Sequence, residues 1–351
     1  MTQAKICCLC GGFGGARFAP GLVESVGARD VVLVTNPGDD VRFTALEVWP
    51  DFDTVLYGVA GEFDEELGWG RRGDTTACVE ALGDEGWFRM GDRDIAISLL
   101  RTAWLAAGLD RGEVARRCCQ ALGVEATIVP AGAQPHRTRI ETADGWHSLQ
   151  DYLVRRRASA APLAVRVEPR AVSATPEALA GLAGAGLVVL GPSNPVVSLM
   201  PILAVPGLVD AVSEAPRVVA VSPVVEAVAP RTPPEAGRHS VRGRLMEMLG
   251  LPHTADAVAG LWAGLIDGFV VDTRDGDAAR RVEETFGIPV LRTHLLPPEE
   301  KQRTELAARV VGFGLGLPAR RERREPRLWW AAGAASGSAS RRAVPAGDRA
   351  A

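Results

Sequence analysis

Short apolar runs without alternating polar residues constrain the fold of this chain most strongly. Helical patterns separate most of these runs, which occupy residues 5–10, 31–35, 186–190, 217–221, 268–272 and 288–291. Strands buried on both faces have this pattern, and they are typical of parallel sheets covered by helices. The sequence therefore predicts an α/β protein with a doubly wound, mostly parallel sheet whose ligands bind at the carboxyl ends of the strands.

A glycine-rich loop follows the first of these strands. Gly11, Gly12, Gly14 and Gly15 fall within five residues, immediately before a helical pattern. Backbone N–H groups in such a loop can surround an anion at a helix N-terminus, so we interpret these glycines as a phosphate-binding loop. The spacing matches neither the dinucleotide fingerprint Gly-x-Gly-x-x-Gly nor the P-loop.

Two acidic pairs follow the second strand. Asp39 and Asp40 come directly after residues 31–38, and Asp51 and Asp53 precede the apolar residues 55–57. Aspartates are common in turns, but carboxylates from two separate loops can share a hard cation beside a phosphate. We favour Asp40 and Asp53 over Asp39 and Asp51 as Mg²⁺ ligands and catalytic groups.

Two further loops combine polar groups with restricted backbone. Ser193 and Asn194 lie between two prolines after the strand at 186–190, where a rigid polar loop suits a nucleotide or its phosphates. Residues 68–75 contain Trp69 and two arginines, which could bind a planar, phosphorylated ligand or form an exposed loop that caps the next helix. The sequence leaves these two readings of 68–75 equally open.

The spacing of strands and helices predicts three regions. Residues 1–57 and 166–317 form the core, and residues 58–165, with helical patterns at 76–86, 92–107 and 110–122, form an inserted cap that binds substrate. Residues 318–351 are rich in Arg, Ala, Gly and Ser and predict a disordered tail.

Composition excludes several classes of function. A net charge of −4 and a pI near 5.8 argue against nucleic acid as a partner, and no apolar run approaches a membrane span. The six cysteines lack metal spacing and are expected to be reduced. The five histidines lack metal or triad spacing. We expect a soluble, cytoplasmic protein that acts on small molecules through metal-assisted transfer.

These motifs, in this order, resemble the 2-phospho-L-lactate transferase family of coenzyme F-420 biosynthesis. The resemblance extends over most of residues 5–310, and its matching segments are residues 11–17, 36–40, 51–57, 68–75, 91–94, 191–198, 201–203 and 219–223. The sequence departs from the family at Phe13, at Arg17 and most strongly in residues 224–250, where the family's Gly-Pro-rich loop is replaced by the arginine-rich segment 238–244.

The resemblance implies a Rossmann-like core, usually a homodimer, that depends on Mg²⁺. Such enzymes transfer a phospholactyl or phosphoenolpyruvyl group from a guanosine diphosphate-linked donor to the ribityl hydroxyl of 7,8-didemethyl-8-hydroxy-5-deazariboflavin, and GMP leaves. By the same resemblance, Asp53 and Arg89 match deazaflavin-binding positions and Asp40 matches a metal-site acid.

Two other functions remain open from the sequence. A non-catalytic regulator that binds a nucleotide-sugar on the same fold would need the glycine loop but not Arg89. An NAD-dependent oxidoreductase is disfavoured by the failed fingerprint and by the lack of a ribose-binding acid directly at the end of the second strand.

Overall fold

The computed structural model describes residues 5–320 and Trp330, and a parallel sheet forms the centre of this part of the chain. The strands of the described residues, in chain order, are β1 (Ile6–Cys10), β2 (Val31–Thr35), β3 (Val41–Phe43), β4 (Leu46–Val48), β5 (Thr127–Pro130), β6 (Arg137–Thr142), β7 (Gly145–Ser148), β8 (Ala164–Glu168), β9 (Leu187–Leu190), β10 (Val218–Val221), β11 (Gly268–Asp272) and β12 (Val290–Thr293). Seven of these strands form one parallel sheet in the order β12-β11-β10-β9-β1-β2-β5. The predicted α/β fold with a doubly wound, Rossmann-like sheet is confirmed.

The strand order reverses direction at β1. This strand pairs with β2 on one side and with β9 on the other, both in parallel. Loops that follow adjacent parallel strands on either side of such a reversal open a crevice at the carboxyl edge of the sheet. The loops after β1, β2 and β9, which carry most of the sequence-predicted site residues, therefore meet at one place.

Helices cover both faces of the sheet. They are α1 (Gly12–Val26), α2 (Pro50–Val59), α3 (Ala77–Ala81), α4 (Asp92–Ala106), α5 (Arg111–Ala121), α6 (Pro176–Ala183), α7 (Met200–Leu203), α8 (Leu208–Glu214), α9 (Pro233–Met248), α10 (Ala255–Trp262), α11 (Gly276–Phe286) and α12 (Glu300–Gly316). Side chains of β1 alternate between the two core layers: Cys7 and Leu9 pack on one face, and Ile6, Cys8 and Cys10 on the other.

Two helices begin where the sequence predicts loop. The glycine loop is itself the first turn of α1, which starts at Gly12, within the predicted loop. The acidic residues Asp51 and Asp53 lie in the first turn of α2, because Pro50 starts that helix with its φ already set. Both acidic residues are therefore positioned by helix geometry.

The predicted cap contributes to the core. Within residues 58–165, β5 pairs with β2 at the edge of the main sheet, since its apolar side chains are buried there. Smaller antiparallel units complete the fold: a β3–β4 hairpin, and a sheet in which β6 lies between β7 and β8. The cap and the core therefore share the main sheet.

The carboxyl-terminal prediction falls largely outside the described residues. Of residues 318–351, the structure describes 318–320 and Trp330, whose ring centroid lies 6.0 Å from that of Trp262. Residues 321–329 and 331–351 lie outside the described part.

Among residues 5–320, no single helix is long and apolar enough to cross a membrane. One bent pair of helices, Pro195–Leu203 and Leu208–Glu214, meets the length and apolarity of a membrane span only when the two are counted together.

Candidate functional site

A cavity of about 1140 Å³ lies at the carboxyl edge of the sheet. Its walls come from the loops after β1, β2, β9 and β10, from segments 68–70 and 88–90, and from α9. The cavity thus joins the core to the predicted cap, and it includes most residues that the sequence singled out.

The glycine loop lines this cavity. Gly11, Gly12 and Gly14 face it, whereas Gly15 is buried behind them against Cys10. The positive end of the α1 dipole lies at the cavity wall, and the first turn of α1 contains no acidic side chain that would neutralise it. This end of α1 is suited to an anionic ligand.

Asp51 lies directly against this loop. A Cβ atom at Gly11 would lie 2.2 Å from the Asp51 Oδ2, so only glycine leaves room for the carboxylate. Asp51 accepts hydrogen bonds from Asn36 Nδ2 at 2.8 Å, from the backbone N–H of Gly12 and from Ser198. These contacts fix an acidic group beside the N-terminus of α1.

Asp39 completes an acidic pair with Asp51. Both carboxylates accept hydrogen bonds from Asn36 Nδ2, Asp39 at 3.2 Å and Asp51 at 2.8 Å, and both line the cavity. Asp39 also accepts from Gln150 Nε2 at 3.3 Å. Burial raises the pKa of Asp39 well above its usual range, with Asp51 adding to the shift, and burial raises the pKa of Asp51 to about 6. A bound cation would stabilise the charged forms of both carboxyl groups.

Asp40 points away from the cavity. Its carboxylate is paired with Arg111 of α5, and the Arg111 guanidinium lies 4.1 Å from the ring centroid of Trp49. Burial raises the pKa of Asp40 to about 6, while Arg111 acts in the opposite direction. The structure therefore places the sequence-predicted ligand Asp40 in a buried ion pair and its neighbour Asp39 at the cavity.

Asp53 lines the cavity but has a partner of its own. Arg101 of α4 is fully buried and donates to both of its carboxylate oxygens, one at 3.0 Å. Burial raises the pKa of Asp53, and the charge and hydrogen bonds of Arg101 oppose that shift. The structure does not bring Asp40 and Asp53 together at one position, and their roles as metal ligands stay a prediction.

The predicted nucleotide-binding side chains hold the loops in place. The Ser193 hydroxyl accepts from the Gly11 N–H at 3.0 Å and donates to the Gly11 carbonyl at 2.9 Å. The Asn194 side chain accepts from the N–H groups of Val196 and Val197. Both residues line the cavity, so their contact with a nucleotide stays a prediction alongside this structural role.

The other end of the cavity contains groups suited to a planar, polar ligand. Trp69 and Arg89 line it, and Arg89 is exposed. Among residues 5–320, no carboxylate lies within 4.0 Å of the Arg89 guanidinium. Arg89 is free to contact a ligand, as the sequence prediction requires.

Asp94 is a site residue that the sequence did not single out. It is 7% exposed and lines the cavity near Arg89. Its Oδ2 accepts from the Gly91 N–H at 3.0 Å, while its buried Oδ1 has no hydrogen-bond partner in the described part of the chain. Burial raises the pKa of Asp94 to about 6. A carboxylate with these properties can accept a proton near neutral pH.

The sequence carried a signal for one further residue. Arg101 lies on the buried stripe of α4 with Ile97 and Ser98, where an arginine requires a buried partner. Arg111 is harder to recognise, because it is the first residue of α5, where a charged side chain is ordinary. The described residues contain no group of three or more His, Cys, Asp or Glu side chains that could hold a metal ion.

The fold and this cavity define an α/β protein that places an acidic pair against the anion-binding end of a helix. The family model of the 2-phospho-L-lactate transferase CofD matches residues 6–293. The chain therefore belongs to the CofD family, and its membership makes it a transferase of coenzyme F-420 biosynthesis.

Curated relatives match over most of their length. A phosphoenolpyruvate transferase of Kitasatospora aureofaciens is 35% identical over 322 residues, which is 86% of this chain and 97% of the relative. Another, from Streptomyces coelicolor, is 36% identical and covers 83% of this chain and 93% of its own length. A 2-phospho-L-lactate transferase of Methanospirillum hungatei is 32% identical and covers 76% of this chain and 88% of its own length.

Solved structures agree on the fold. A crystal structure of a UPF0052 family member from Bacillus halodurans superposes with a TM-score of 0.56 at 15% identity. The match covers 88% of this chain and 99% of that one.

The ion pair of Asp53 predicts a large stability difference between two arginine variants. Arg101→Met leaves a buried carboxylate without its partner and should destabilise the protein by about 3–5 kcal/mol in urea unfolding. Arg116→Met removes an exposed pair with Glu113 and should leave the unfolding midpoint near wild type. Adding Asp53→Asn to Arg101→Met should recover part of the loss. Equal midpoints for the two single variants would show that the buried pair is not structural.

Proposed function

We propose that this protein transfers a phosphoenolpyruvyl or phospholactyl group from a guanosine diphosphate-linked donor to the ribityl hydroxyl of 7,8-didemethyl-8-hydroxy-5-deazariboflavin. GMP is the second product. The observation that carries this proposal is the meeting of the α1 N-terminus with the acidic pair Asp39 and Asp51 in one cavity. Membership of the CofD family supports the same chemistry.

The cavity has room and chemistry for two substrates. Its volume of about 1140 Å³ exceeds the roughly 300–1,000 Å³ of a pocket for one drug-sized ligand. The glycine loop and Ser193 at one end suit the nucleotide diphosphate, whereas Trp69 and Arg89 at the other suit the planar deazaflavin. Several actinobacterial relatives at 35–36% identity are phosphoenolpyruvate transferases, which favours the enolpyruvyl donor over the lactyl donor.

Mg²⁺ fits the acidic pair. Two neighbouring carboxyl groups whose burial and mutual repulsion raise the pKa of Asp39 form a site that a divalent cation would stabilise, and Mg²⁺ typically takes one or two carboxylates plus substrate phosphate. Asp39 and Asp51 would hold the ion, which would supply charge neutralisation at the diphosphate. Asp40, paired with Arg111, serves as the experimental contrast.

The reaction requires one bond to form and one to break. The ribityl oxygen forms a bond with the phosphorus that bears the enolpyruvyl or lactyl group, and the bond from that phosphorus to the bridging oxygen of GMP breaks. The proton of the ribityl hydroxyl goes to Asp94. Arg89 orients the deazaflavin, and the positive end of the α1 dipole holds the phosphates, so positioning carries most of the catalysis.

The transfer is tested by incubating the protein with deazaflavin, MgCl₂ and each guanylated donor, followed by mass spectrometry. We expect a deazaflavin product that carries the phosphoenolpyruvyl group, with GMP in equal amount. A sample without deazaflavin controls for donor hydrolysis. Tight UDP-sugar binding with no deazaflavin binding would support the nucleotide-sugar-binding regulator instead.

The metal assignment predicts different effects at neighbouring aspartates. Asp39→Asn and Asp51→Asn should each weaken Mn²⁺ binding in the presence of GDP by about 100-fold or more, because loss of even an outer-sphere partner costs about 10–100-fold. Asp40→Asn should retain wild-type affinity, measured by electron paramagnetic resonance, with circular dichroism as the folding control. The reverse pattern would return the metal site to Asp40.

The proton-accepting role of Asp94 predicts a change in rate and in pH dependence. Asp94→Asn should lower kcat by about 100-fold or more, as expected for loss of a general base. The groups that act on its pKa are Asp53 and Tyr57 of α2 and Asp74. Since a base works when deprotonated, wild-type kcat/KM should rise as pH increases through about 6, and the variant should lack that limb.

The exposed acid Asp84 provides the matched control for this prediction. Asp84→Asn should keep both the rate and the pH profile. An unchanged pH profile in Asp94→Asn would remove Asp94 from this role.

A homodimer and a cytoplasmic location belong to the same proposal. The family resemblance supports the dimer, which light scattering on the purified protein would test. The free cysteines, including the buried Cys7, Cys8 and Cys10, support a reducing compartment.

A further inference from the structure

The helix α9 carries two arginines that face the cavity together. Arg238 and Arg242 are four positions apart, so they lie one above the other on the same side of the helix, and both line the cavity. Two like charges at this spacing destabilise an isolated helix. Arg244, also on α9, donates instead to the Ala158 carbonyl.

Neither of these two guanidinium groups forms an ion pair in the described part of the chain, although Glu235 acts on Arg238 from a longer distance. Within residues 5–320 and Trp330, no carboxylate lies within 4.0 Å of Arg238 or Arg242, although other cavity arginines are paired. Arg17 and Arg303, for example, both contact Glu65. The Arg242 Nε atom is buried and has no hydrogen-bond acceptor among the described residues. Partial burial of a cation without an ion-pair partner carries a desolvation penalty that a bound anion would offset.

The local electrostatics agree with this arrangement. Burial lowers the pKa of Arg242 to about 10, and the charge of Arg238 adds to the shift. Burial also lowers the pKa of the adjacent His253 to about 4, with contributions from Arg242 and His239. The surroundings of Arg242 therefore favour a negative charge.

Arg238 reaches the glycine loop across the cavity. Its guanidinium carbon lies 4.0 Å from the ring centroid of Phe13, which belongs to the first turn of α1. Gly68, with φ +80°, leaves the space that the Arg238 side chain occupies, because a Cβ there would lie 2.3 Å from Nη1. The arginines and the N-terminus of α1 thus bring positive charge to one part of the cavity.

We propose that Arg238 and Arg242 form an anion subsite that binds a phosphate or carboxylate group of the ligand. The planar guanidinium can donate two parallel hydrogen bonds to either group. Identification of that anion as part of the guanylated donor rests on the proposed function, but the presence of the subsite does not. The donor offers two candidates, its diphosphate and the carboxylate of its enolpyruvyl group.

The subsite is tested by calorimetric titration of the full chain with inorganic pyrophosphate, GDP and phosphoenolpyruvate. Arg238→Gln and Arg242→Gln should each weaken binding of the recognised anion by about 10- to 100-fold, the range for a hydrogen bond to a charged group. A loss for pyrophosphate and GDP assigns the diphosphate, whereas a loss for phosphoenolpyruvate alone assigns the carboxylate end. Arg242→Lys should recover part of the affinity, and Arg280→Gln, an exposed arginine on α11, should bind like wild type.

If these arginines only stabilised the fold, Arg242→Gln would lower the thermal unfolding midpoint. If they form an anion subsite, the thermal unfolding midpoint of Arg242→Gln should match or exceed that of wild type, because the substitution removes a partly buried charge that has no ion-pair partner. Wild-type affinity for all three anions in both glutamine variants would overturn the subsite. If pyrophosphate binding depends on Arg242 but no deazaflavin product forms with any donor, the subsite stands and the proposed transfer fails.

Discussion

The site depends on the close approach of Asp51 to the first turn of α1. The carboxylate occupies the space that a side chain at Gly11 would take, and it accepts hydrogen bonds from Gly12 and Asn36. This contact joins the loops after β1 and β2 to the start of α2. It also places a group that can bind a cation beside a helix end that attracts an anion, which is the arrangement that a metal–diphosphate ligand needs.

Two buried ion pairs hold α2 and the loop before it in place for this contact. Arg101 of α4 binds Asp53, Arg111 of α5 binds Asp40, and the ring of Trp49 lies between the two guanidinium groups at 4.6 and 4.1 Å. Removing one member of a buried pair leaves an uncompensated charge, so the pairs resist separation of these helices. Of these four charged groups, Asp53 lines the cavity, and its pairing with Arg101 fixes its position there.

The sequence predicted the sheet and the location of the cavity well, but not that Asp39 instead of Asp40 lines it. Buried strands without alternation are a local signal, and all the apolar runs singled out in the sequence form strands, with the last displaced by two residues to Val290–Thr293. Asp40 is turned from the cavity by its pairing with Arg111, a contact that only the tertiary structure creates. The different directions of the Asp51 and Asp53 side chains could have been predicted from the sequence. Pro50 marks a helix start, and residues two apart on a helix point about 200° apart.

Two pairs of charged groups at the cavity, one acidic and one basic, form no ion pair with each other. Among the described residues, Asp39 and Asp51 form no ion pair with an arginine, while Arg238 and Arg242 have no carboxylate within 4.0 Å. Had the four groups been in contact, they would neutralise one another and leave nothing for a ligand to satisfy. Because the fold holds them apart, a ligand that presents a divalent cation to one pair and an anionic group to the other gains from both. A guanosine diphosphate-linked donor with bound Mg²⁺ has this charge pattern, whereas an uncharged ligand would leave both pairs unsatisfied.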